Sequence, residues 1–103
     1  MYKNQKPLTI FIDMDGVVAD FEGAMALHPL NGQKDFRPDL KLDFLQFEPM
    51  DGALDAIDQL QNMGHEVFFA STAPWSNPDA WKAKRLWVEK HFPSMWKRIF
   101  LTH

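Results

Sequence analysis

The run Leu8-Thr9-Ile10-Phe11-Ile12 is β-branched, aromatic and almost wholly apolar, and it stops at Asp13. Without alternation of polar and apolar positions, such a run suits a strand covered on both faces, as in a parallel sheet. Parallel neighbours cannot be joined by a tight hairpin, so the chain that follows must supply crossover helices. Open α/β sheets bind their ligands outside the carboxyl ends of the strands. The turn from Asp13 to Gly16 is therefore the first place to expect chemistry.

The rest of the chain supplies the crossovers. Val17 to Leu27 is expected as a helix, weakened at Gly23 by about 1 kcal/mol relative to alanine. His28-Pro29, Asn31-Gly32, Pro38 and Pro49 break the next stretch into turns, and residues 28–47 are expected to form a short cap or insert. Asp51 is placed to cap a helix running to Met63, with Leu54, Ile57 and Leu60 on one face and Gly64 as its stop. A second apolar run, Val67-Phe68-Phe69-Ala70, ends in Ser71-Thr72. Asn77-Pro78-Asp79 then opens a helix to about His91, with Trp81, Val88, Phe92 and the stem of Arg85 near one face. Arg98 to Thr102 reads as a third strand. The order gives an α/β fold of about three parallel strands with right-handed crossovers. At 103 residues the chain is read as a single domain, residues 1–103.

Composition narrows the function. A net charge of −3, with no basic run denser than Lys82, Lys84 and Arg85, argues against a nucleic-acid-binding surface. Cysteine is absent, which removes disulfides, thiolate metal sites and cysteine nucleophiles together. No apolar stretch approaches membrane-spanning length, so no membrane partner is expected and the chain is read as cytoplasmic. Nine Phe and four Trp are expected mostly in the core or lining a pocket.

The pair Asp13 and Asp15 gains meaning from its context. Asp13 leaves a buried-type strand, Asp15 precedes Gly16, and a second strand delivers Ser71 and Thr72 to the same edge of the sheet. Such an edge suits phosphoryl transfer. Asp13 would attack phosphorus and form an aspartyl-phosphate, and Asp15 would protonate the leaving alcohol and then activate water. A carboxylate approaching a phosphate dianion needs a hard cation, for which Mg2+ is suited. Gly16 would let the backbone turn its amides toward phosphate, and Ser71 would hydrogen-bond the transferring group. Asp at a strand end and Ser-Thr after a strand are also ordinary turn and cap residues. The pattern alone leaves both readings open.

The stretch Phe11-Ile12-Asp13-Met14-Asp15-Gly16-Val17-Val18-Ala19-Asp20-Phe21-Glu22 resembles the first motif of the haloacid-dehalogenase (HAD) superfamily. More narrowly it resembles the 5′(3′)-deoxyribonucleotidases, in which Asp-Met-Asp-Gly-Val is followed by Ala-Asp-Phe. Glu48-Pro49-Met50-Asp51-Gly52-Ala53, Val67-Phe68-Phe69-Ala70-Ser71-Thr72 and Trp87-Val88-Glu89-Lys90-His91-Phe92 are similar to later stretches of that family, in the same order. The resemblance implies a Rossmann-like HAD core with a minimal cap and a magnesium-dependent 5′-nucleotidase acting on nucleoside monophosphates. It implies Asp13 as nucleophile, Asp15 as acid and base, and metal contacts from the Asp13 carboxylate and the Asp15 carbonyl. Ser71 and Thr72 would meet phosphate and substrate. Phe21 matches an aromatic that packs on the base, with ordinary core packing as the equal alternative, and Trp75 is a weaker pocket candidate. The base-selecting residues of the family's cap do not map onto this shorter segment, which leaves Phe36, Phe44 and Phe47 as candidates for that role.

In the family a phosphate-neutralising lysine follows the third strand, and a later acidic motif completes the metal site. The sequence ends at Leu101-Thr102-His103, so both are expected to be missing from this chain. By the resemblance the first strand lies mid-sheet, so Leu8 to Ile12 is expected to need a cover on its other edge. The cover would be further chain, a second copy or another subunit. Two rival functions remain at this stage: a catalytically incomplete phosphate- or nucleotide-binding module, and a phosphatase for another small phosphomonoester. His28, His65, His91 and His103 lack metal-ligand spacing and are expected in solvated or capping roles. Nothing in the sequence places Glu48 or Glu66 at the strand tips.

Overall fold

A computed structural model describes residues 6–29, 32–34 and 43–103. Phe36 and much of the expected cap lie outside them. The elements run β1 (Thr9–Ile12), α1 (Phe21–Leu27), a 3-10 turn (Phe44–Gln46), α2 (Ala53–Asn62), β2 (Glu66–Thr72), α3 (Pro78–His91), a second 3-10 turn (Pro93–Met95) and β3 (Ile99–Thr102). The three strands form one parallel sheet in the order β1-β2-β3. This is the expected α/β architecture, with helices flanking a parallel sheet. No helix among the described residues is long and apolar enough to cross a membrane.

The register fixes which side chains share a face. Ile10 pairs with Val67 and Ile12 with Phe69, while Phe69 pairs with Ile99 and Ser71 with Leu101. Side chains alternate along a strand, so Val67, Phe69 and Ser71 point the same way and all three are buried. That face meets Ile57 of α2 and Trp87 and Val88 of α3, with Phe92 closing the core edge-on to Phe69 at 5.3 Å. Ser71 sits at the end of an apolar row and so faces α3.

Local expectations fail in three instructive places. The expected helix from Val17 begins only at Phe21. Before it, the carbonyl of Met14 accepts from the amides of Val17, Val18 and Ala19 in one tight turn. Asp20 N donates to Glu48 O and Met50 N to Val18 O, so a partner distant in sequence takes backbone groups a helix would have used. Asp51 does not cap α2. That position belongs to Gly52, in the left-handed region at φ 80° with no side-chain cap, and Leu54 is 43% exposed. On α3 the buried positions are Ala83, Lys84, Trp87 and Val88, a stripe rotated from the expected one; Arg85 stays exposed and pairs with Glu89 at 3.0 Å. Asn77 precedes that helix without making a side-chain cap bond to it.

Candidate active site at the strand tips

Asp13 follows the last residue of β1 and is exposed, with Oδ1 accepting from its neighbour Met14 N at 2.8 Å. That bond orients the carboxylate at the open end of the strand. The Met14 side chain is fully buried, so the residue between the two aspartates anchors the turn in the core. Gly16, at φ 77°, takes the left-handed conformation that glycine tolerates, and its N–H donates to Ala19 O at 2.9 Å. The Gly16 amide is thus engaged in closing the turn. This geometry leads Asp15 back toward the sheet.

The centre of the site is Lys84, which in the sequence stands out only as one of the cluster Lys82, Lys84 and Arg85. Its Nζ donates to Asp15 Oδ2 at 3.1 Å, to Ser71 Oγ at 2.8 Å and to the Thr72 carbonyl at 2.6 Å. The Lys84 side chain is 4% exposed and that of Asp15 39%. Lysine is almost never buried unless paired, and here all three ammonium hydrogens have acceptors. One cation therefore ties together the turn after β1 and the tip of β2. The resemblance implies a phosphate-neutralising lysine after the third strand; the lysine that reaches the strand tips among the described residues comes from α3. Helical period was the overlooked signal: Lys84 lies three and four residues before Trp87 and Val88, inside the apolar stripe.

The other candidates are spread more widely. Thr72 contributes its carbonyl to Lys84 and has an exposed side chain. Phe21 is half-buried and packs edge-on against Phe47 at 5.8 Å. Phe44 and Phe47 are both buried. Trp75 is 75% exposed beyond β2, its ring 5.8 Å from that of His103. Glu48 and Glu66 are exposed, and Glu66 sits at the amino end of β2, away from the tips. His65, expected as solvated or capping, is buried instead, and its Nδ1 accepts from Leu8 N at 3.0 Å, tying the start of β1 to β2.

A divalent cation needs hard oxygen donors, and the strand tips offer carboxylates. Asp13 is exposed, while Asp15 Oδ1 is buried without a hydrogen-bond partner. Among the described residues no group of three or more His, Asp or Glu side chains comes together. Mg2+ commonly uses one or two carboxylates together with waters and phosphate oxygens, and Asp13 fits that demand.

No protein-family model matches the chain. Relatives are found by direct comparison. A protein of Vibrio phage KVP40 assigned to the 5′(3′)-deoxyribonucleotidases is 36% identical over 108 residues, covering 98% of this chain and 61% of its own length. The mitochondrial 5′(3′)-deoxyribonucleotidase of Mus musculus is 30% identical, covering 96% of this chain and 60% of its own length. The cytosolic type from Homo sapiens is 29% identical, with 94% and 64% covered. The chain thus spans roughly three-fifths of the length of these relatives. Matched almost from end to end by phage, mouse and human proteins of one kind, the chain is similar over nearly its whole length to the 5′(3′)-deoxyribonucleotidases.

Proposed function

We propose that this chain carries the nucleophile and phosphate-binding half of a magnesium-dependent phosphatase for nucleoside monophosphates, with deoxyribonucleotides as the preferred class. The observation that carries the reading is the Lys84 ammonium, buried at the strand tips and shared by Asp15, Ser71 and Thr72. A buried, preorganised cation beside the Asp15 carboxylate is suited to charge developing on a phosphoryl group. The names of the phage, mouse and human relatives support the substrate class.

In this reading an Asp13 carboxylate oxygen attacks phosphorus, and the bond from phosphorus to the ester oxygen breaks. Asp15 gives its proton to the departing alcohol, leaving a phosphorylated Asp13. Asp15 then takes a proton from water, whose oxygen attacks phosphorus. The bond to Asp13 breaks, inorganic phosphate leaves, and Asp13 is restored. Ser71 Oγ and Lys84 Nζ hold the phosphoryl oxygens. Because the three Lys84 donors are already engaged, an arriving phosphate must replace one acceptor, and the half-exposed Asp15 is the one free to move. Mg2+ held by the Asp13 carboxylate and the Asp15 carbonyl would offset phosphate charge and orient the group for attack.

The test is phosphate release from a panel of nucleoside monophosphates, with Mg2+ and with a chelator. Turnover should require Mg2+ and vanish in Asp13→Asn, and Lys84→Met should lower it by roughly 100- to 1,000-fold. A folded wild-type chain that binds inorganic phosphate without turnover would instead establish the binding-module reading.

A further inference from the structure

We infer that Phe44 is a positioning residue for Lys84: its ring holds the ammonium in place to receive the phosphoryl group. This role rests on the phosphoryl-transfer reading for its purpose, though not for its geometry. Lys84 Nζ lies 5.0 Å from the centroid of the Phe44 ring. The three ammonium hydrogens are spent on Asp15, Ser71 and Thr72. What the ring meets is therefore the positive charge itself, and an aromatic face attracts a cation most strongly where water is excluded. Both partners are excluded from water, with Phe44 6% and Lys84 3% exposed.

The ring is itself held. Asp43 Oδ1 accepts from Leu45 N at 3.0 Å, which starts the 3-10 turn carrying Phe44. Trp87 Nε1 donates to Phe47 O at 2.9 Å, fastening the end of that turn to α3. Trp87 lies three residues beyond Lys84, on the same helical face. Its ring meets Phe44 edge-on at 5.3 Å, and the Phe47 ring lies tilted against Phe44 at 4.6 Å. Among the described residues of the segment between the aspartate motif and α2, Phe44 thus reaches the site through its ring. Phe44 supports the phosphate-binding cation and is spent in the core, so base selection falls to other residues.

The experiment replaces Phe44 in the full chain with mono-, di- and trifluorophenylalanine, which drain the ring face of negative charge at nearly constant size. Phe44→Leu and Phe44→Tyr complete the series. Three readouts are taken together: the affinity for inorganic phosphate, the ring-current shift of the Lys84 ε-methylene resonances, and the melting temperature. The expected result is an upfield-shifted Lys84 signal in the wild type, lost in Phe44→Leu. Phosphate affinity should fall stepwise with fluorination, reaching a loss of about tenfold in Phe44→Leu, and recover in Phe44→Tyr. A flat affinity across the fluorine series, or an unshifted Lys84 in the wild type, would overturn the assignment. A wild type with the Lys84 shift intact but no affinity for phosphate would sink the phosphatase reading while leaving the ring-to-ammonium contact standing.

Discussion

Lys84 shows how a single side chain can be invisible to composition and central to a structure. Its neighbours in sequence are Lys82 and Arg85, ordinary solvated cations, and only the helical period separates it from them. A buried lysine costs several kcal/mol to desolvate, so its survival at 3% exposure requires the acceptors found around it. His91 poses the opposite problem. Its ring lies tilted against Trp87 at 4.9 Å and its Nε2 is buried without a hydrogen-bond partner. Burial, reinforced by the nearby Lys90 charge and opposed by Glu48, lowers its pKa below the ordinary 6.5. The unfolded chain therefore binds this proton more readily than the folded one, and stability must rise with pH through this region. The contribution is complete above about 6.5 and is lost as pH falls through that value toward the lower folded pKa. Urea unfolding at pH 7 and pH 5 should show a drop in stability that is smaller in His91→Gln. Parallel profiles for the two proteins would show that His91 is not the group responsible.

At the scale of elements, α1 reverses a general rule. Glycine inside a helix is usually worth replacing, since alanine gains roughly 0.5–1 kcal/mol. In α1, however, the Asp20 carboxylate folds over the first turn and accepts from Gly23 N at 2.9 Å. A Cβ on Gly23 would land on that carboxylate, inside any acceptable contact distance. Gly23→Ala must displace the cap, a loss of about 1 kcal/mol. The expected outcome is a net destabilisation by denaturant titration, one that disappears when Gly23→Ala is made in an Asp20→Ala background. A stabilised Gly23→Ala would mean the cap does not form. The position matters because the same turn that carries Asp15 leads into this cap.

At the scale of the whole molecule, the order β1-β2-β3 decides what is covered. Two successive crossovers run in the same direction, and α2 and α3 both pack into the core on the Val67 and Phe69 face. The other face carries Phe11, Phe68 and Phe100, whose rings meet pairwise at 5.4 to 5.7 Å. Phe11 is 58% and Phe100 55% exposed. All-parallel sheets are almost always covered on both faces, and contiguous exposed aromatics mark an interaction or aggregation surface. The 103-residue chain should therefore bind a hydrophobic dye in its native state and associate as concentration rises, measured by fluorescence and light scattering. Phe11→Lys with Phe100→Glu should reduce both signals without loss of the circular-dichroism spectrum. A dye-silent, monomeric wild type would show that this face is covered in solution.

The sequence by itself determined the strands, the order of the helices and the two strand tips where Asp13, Asp15, Ser71 and Thr72 emerge. Those features are local: apolar runs, a proline at a helix start and a glycine after an acid all act within a few residues. The start of α1 at Phe21 instead of Val17 was decided by pairing with Glu48 and Met50, which no local signal contains. The burial of His65 likewise depends on Leu8, 57 residues away. Only the tertiary structure brought Lys84 to Asp15, 69 positions apart, and set Phe44 against it. The physical reason is that an ammonium ion chooses its acceptors by distance in space, and the sheet register, together with the packing of α3, determines which acceptors are near.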